Sequence, residues 1–177
     1  MNRDGRISGV NLDAGVGEMP GKHGKGASRR HLTREMLLPI PAAKAQMRSM
    51  RAHLALVAMR KGQGNGSLAG ELVKSVYMTW LLARDSGNTD PTIFETAEMG
   101  LRRCIERAPQ GGLWKVDEAA CVALEAVLRM QDEQLATIPA HLLRRAAAKM
   151  ERVIDSGRLP SVRDAHEPSA APDVARH

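Results

Sequence analysis

Apolar residues recur three and four apart in five separate stretches of this chain, and each stretch ends close to a glycine or proline. That spacing lines one face of a helix, while strands need a period of two, and no segment here shows one. The chain is therefore expected to be all-α. Composition points the same way. Tyr77, Trp80, Phe94 and Trp114 are the only aromatic residues, and ten methionines stand among many alanines and leucines. Residues of the latter kind lose little side-chain freedom in a helix, whereas aromatic and β-branched residues favour strands.

The punctuation divides the pattern into elements. Residues 33–40 form a short apolar lead-in broken by Pro39 and Pro41. A helix is predicted over 42–60, with Met47, Met50, Leu54 and Val57 as its buried stripe. The run Gly62–Gly66 ends it, and Ser67 is the expected cap of a helix over 68–85 that turns Leu72, Val73, Val76, Trp80 and Leu81 inward. Gly87 stands where a left-handed C-cap belongs. Thr89, Asp90 and Pro91 open a third helix running to about residue 107, with Phe94, Ala97, Leu101, Cys104 and Ile105 inward. Asp117 caps a fourth over 118–136, burying Cys121, Leu124, Leu128 and Leu135. A fifth begins at Pro139 and runs to about 156, with Leu142, Leu143, Ala146, Met150, Val153 and Ile154 as its stripe. Short connections place successive helices antiparallel, so the expected architecture is an antiparallel bundle of about five helices. At 177 residues a single domain is expected, over 32–157. Residues 1–31 read as a disordered basic arm and 158–177, with three prolines, as a disordered tail.

Charge is distributed unevenly. Between Met19 and Lys61 ten Lys or Arg face a single acid, Glu35, a local charge of +9 in a chain of formal net charge +6. A field of one sign at one end of a small protein selects anionic partners. Lys22, Lys25, Arg29 and Arg30 lie in the arm, suited to binding phosphates by counterion release. The arm holds no aromatic residue, so base stacking on a single strand is not indicated. Lys44, Arg48 and Arg51 follow at i, i+4 and i+7 in a helix with no acid at all, and so with no intrahelical ion pair. Such a row faces an outside anion or the acidic face of a neighbouring helix. These seven residues are the candidate nucleic-acid-binding set. His141, Arg145, Lys149 and Arg152 share a face of the last helix, where cations also complement the helix dipole.

Other patterns point away from chemistry. The Gly62–Gly66 run lacks the preceding strand and the Gly-Lys-Ser/Thr of a phosphate loop, and reads as a flexible connection. Cys104 and Cys121 lie symmetrically about the turn near Gly112. They are either two small buried hydrophobes or, if their Cα atoms approach within about 7 Å, a bonded pair. No His or third Cys has metal-ligand spacing with them. The six histidines are scattered, and no HExxH, GxSxG or Cys–His arrangement appears. The reading is no enzyme, no cofactor and no metal. With no apolar run of membrane-spanning length and no apolar signal region, a soluble cytoplasmic protein is expected.

Three segments carry a resemblance: Leu32-Thr-Arg-Glu-Met-Leu-Leu-Pro-Ile-Pro, His53-Leu-Ala-Leu-Val-Ala-Met-Arg-Lys-Gly and Glu71-Leu-Val-Lys-Ser-Val-Tyr-Met. Together, over about 55 residues, this resembles small all-helical bacterial proteins often labelled Fis-family transcriptional regulators. The resemblance implies a regulatory accessory protein. Fis-type proteins end in a helix-turn-helix of two short helices. The last two helices here are long, with Pro139 in their link, so no DNA-contact residue carries over. The expected function is a non-enzymatic regulator held on nucleic acid by the arm and the 42–60 helix. The alternative is a protein–protein interaction module, an adaptor or inhibitor, and a homodimer is the third candidate assembly. An exposed apolar patch on the bundle distinguishes the protein-binding reading from the first.

Overall fold

A computed structural model of the chain describes residues 32–84, 87, 89–155 and 161–162. Its elements are α1 (Arg34–Leu37), α2 (Ala42–Arg60), α3 (Gly66–Arg84), α4 (Thr92–Arg107), a 3₁₀ turn (Ala108–Gln110), α5 (Glu118–Thr137) and α6 (Ala140–Asp155). The all-α helical bundle expected from the sequence is what forms. Among the described residues there is no strand, only a one-residue bridge of Pro39 with Pro139.

Local chemistry sets the helix ends. The Asp117 carboxylate accepts from the Ala120 N–H at 2.9 Å, as its position before the apolar run predicted. Asp90 accepts from the Thr92 N–H at 2.9 Å, and these bonds to Thr92 hold the Asp90 carboxyl below its ordinary pKa. At the start of α3 the cap is Asn65, which accepts from the Leu68 N–H at 3.0 Å, and not Ser67. The helix begins two residues earlier than expected, so Ser67 is already inside it. Gly87 has a φ of 75°, the left-handed conformation expected there.

Helices α2 to α5 enclose the main core, in which Met59, Leu72, Phe94, Leu101, Leu124 and Leu128 are fully buried. Trp80 and Phe94 meet with ring centroids 5.2 Å apart, tilted by 54°. Gly100 lets α4 and α5 come together, because a Cβ there would collide with that of Ala120. A second cluster joins Tyr77, Met78 and Leu81 of α3 to Ala146 and Met150 of α6. Helix α3 is thus covered on both sides, and every residue from Ser75 to Leu81 is buried. This is why its second half is apolar on more than one face, while Gly70 and Lys74 in its first half are exposed. The Gln134 amide donates to the Thr79 carbonyl at 3.2 Å, one of few polar contacts inside this core.

Three further sequence expectations need correction here. In α2 the buried residues are Ala52, Ala55, Leu56 and Met59, and the predicted stripe faces out. In α6, Leu142 and Ile154 are exposed, leaving Ala140, Leu143, Ala146 and Met150 as the buried row. Val162 falls in the stretch read as a tail, yet its side chain is buried in the main core and its N–H donates to Glu98 at 2.8 Å. The rest of 158–177 lies outside the described residues, as does the 1–31 arm with Lys22, Lys25, Arg29 and Arg30.

Candidate interaction surface

Helix α2 packs against α3 and α5 through one side only. It carries two apolar rows on nearly opposite faces, and the side with alanines at 52 and 55 goes inward, where small residues permit close approach. Burial of Leu56 and Met59 in the main core fixes the rotation, and contacts to α5 accompany it. Arg60 reaches Glu118 at 2.7 Å and Glu125 at 2.9 Å, and His53 Nε2 lies 3.0 Å from an Asp132 oxygen. Those three acids recur every seven residues, so they form one row on α5. With His53 and Arg60 facing that row, Met47, Met50, Leu54 and Val57 face outward, at 48, 55, 59 and 49% exposure. Val122, 59% exposed, lies on the α5 row between the two glutamates that Arg60 grips. The result is an apolar ridge along α2.

The two borders of this ridge differ electrically. On the α5 side Arg60 is paired with Glu118 and Glu125, which raise its pKa further. On the opposite border stand Lys44, Arg48 and Arg51, all exposed. None of them has a carboxylate within ion-pair distance among the described residues. The alternative in which neighbouring helices neutralise this row does not hold. Of the seven predicted binding residues, the structure brings these three together and leaves the other four outside its description.

At its N-terminal end α2 also borders a cleft of about 540 Å³, lined by residues of α1, the α1–α2 link, α2 and α6. The link is tied to α6 at two points. The Ala140 N–H donates to the Leu38 carbonyl at 2.8 Å, and His141 Nδ1 donates to that of Met36 at 2.8 Å. His141 therefore leaves the basic face it was assigned to. Lys44 and Arg48 line the cleft, and Arg144 joins them from α6. Sequence reading missed Arg144, because only the fold brings residues so far apart in the chain to one rim. The absence of any acid in α2 was the available signal for the site, together with a second apolar row that a peripheral helix does not need for packing.

Cys104 and Cys121 are both buried and unbridged, and burial pushes both thiols up in pKa, away from the reactive thiolate. Among the described residues no group of His, Cys, Asp and Glu is placed to hold a metal ion, and no helix is long and apolar enough to cross a membrane. Comparison with protein-family models, with curated proteins and with solved structures finds no match to this chain.

Proposed function

We propose that this chain is a non-enzymatic protein-interaction module, and that the outer face of α2 docks an amphipathic helix whose apolar stripe is flanked by acidic residues. The observation that carries the reading is the exposed row Met47, Met50, Leu54 and Val57 beside the unpaired cations Lys44, Arg48 and Arg51. Four large side chains half-exposed on one ridge make an apolar patch on the order of a few hundred Å², a size that marks contact sites on soluble proteins. The i, i+3, i+7 spacing matches the anchor spacing of helix-to-helix recognition. Burying what remains exposed is worth about 1 kcal/mol per side chain. That is about 4 kcal/mol in all, no more than the low end of the roughly 4–15 kcal/mol cost of association. The apolar ridge therefore needs help from the cationic border, and binding is expected to weaken with salt.

Copurification from native cells tests this, with half of each sample treated with nuclease. The expected result is a protein partner kept after nuclease, and lost in the Met50→Ser/Leu54→Ser variant. Equal retention by that variant refutes the reading. A second reading, a nucleic-acid-associated regulator, is favoured by the exposure of the same three cations and by the basic residues that the sequence carries in 1–31. Titration of duplex DNA at low and high salt addresses it. The Lys44→Gln/Arg48→Gln/Arg51→Gln variant should flatten the salt dependence by about three phosphate contacts. No binding at low salt removes this second reading.

A further inference from the structure

We infer that the cleft between the α1–α2 link and α6 is a binding site for a small amphipathic anion, a carboxylate carried on an aliphatic body. This site does not depend on the docking of a helix along α2. Its volume of about 540 Å³ falls within the range of small-molecule sites. Three cations, Lys44, Arg48 and Arg144, stand on its rim against one acid, Glu35. None of the three forms an ion pair among the described residues. Like charges gathered around one opening repel each other, and an anionic head relieves that repulsion while accepting charge-assisted hydrogen bonds. Apart from these charged groups the lining is largely apolar, with a floor of buried Leu143 and partly buried Ala147 and Ile40, while Leu38 is 54% exposed. A polar anion alone leaves that floor unused, and a neutral hydrocarbon leaves the cations unpaired.

The walls are held open. Pro39 and Pro41 fix two backbone angles of the link. The bonds from Ala140 to Leu38 and from His141 to Met36 moor the same segment to α6. The cleft is thus formed before a ligand arrives, and little ordering is required on binding. A second copy of the chain, or the basic 1–31 segment, brings the wrong charge to this rim; a carboxylate brings the right one.

The test uses the full chain and three probes kept below self-association: decanoate, decanol and inorganic phosphate. Amide shifts are followed by NMR. Decanoate is expected to move residues 38–48 and 140–147, and to bind about tenfold more tightly than either of the others, as expected when one charge-assisted contact is added. The exposed pair Arg48→Gln/Arg144→Gln should weaken decanoate by about tenfold or more. Ala147→Phe, which fills the cleft and leaves the cations in place, should abolish the shifts. Equal affinity for decanol or for phosphate, shifts centred on Met47–Val57 instead of the cleft, or decanoate binding unchanged in either variant would overturn the inference.

Discussion

Leu54 and Leu56 stand two residues apart on α2, and about 200° of helix rotation separates them. Leu54 is 59% exposed and Leu56 is 4% exposed. Truncating each to Ala removes the same atoms, so the difference in cost measures which face of α2 is inside. For Leu56 the lost transfer energy and the cavity left in a packed core together cost about 2–5 kcal/mol. For Leu54 little is buried to lose, and Ala is the better helix former, so the change is expected within about 0.5 kcal/mol of zero. The pair should therefore differ by at least about 1.5 kcal/mol. Urea unfolding followed by far-UV circular dichroism reads this directly, with a slope of about 1–3 kcal/mol per molar. Leu56→Ala should lower the midpoint by about 1 M or more, at unchanged slope, while Leu54→Ala leaves it in place. If Leu54→Ala is the costly change and Leu56→Ala the cheap one, α2 is rotated the other way; if both are costly, the ridge is covered as well; in either case the docking argument loses its surface.

Two further outcomes follow from local geometry. Gly100→Ala drives a Cβ into Ala120 between α4 and α5 and is expected to destabilise by about 1–3 kcal/mol, whereas Gly70→Ala, on the exposed side of α3 with open space around it, should stabilise by about 0.5–1 kcal/mol; thermal unfolding of both distinguishes them, and equal effects would show that Gly100 is not a close-approach site. The hydrogen bonds from Thr92 depress the Asp90 pKa, so its contribution is complete above the unfolded carboxylate pKa, near 4, and is lost as pH falls through the depressed folded value. Wild type and Asp90→Ala should accordingly differ in stability at pH 7 and converge in acid, and a gap that persists at low pH would contradict that cause.

Helix positions were legible because their signals are contiguous in the chain. The 42–60 helix, the Asp117 cap, the Gly87 turn and the inward rows of α4 and α5 rest on periodicity, caps and breakers a few residues apart. Where a helix has one apolar row, as α4 has, the row names the buried face. Helix α2 has two, so the sequence rule had no unique answer there. The stripe with the larger side chains was chosen as the interior of α2, and the smaller one is inside.

The α5 partners of α2 lie far away along the chain. Asp132 is 79 residues from His53, and Glu118 and Glu125 are 58 and 65 residues from Arg60. The same holds for Arg144 joining Lys44 and Arg48, and for Val162 folding back on Glu98. Composition and local pattern determine that this chain is helical, roughly where its helices begin and end, and that its amino-terminal third is cationic. Rotation of each helix about its own axis costs nothing locally. It is set only when side chains from distant segments compete for the same space and the same charges, and so the tertiary structure alone chose which face of α2 meets the outside.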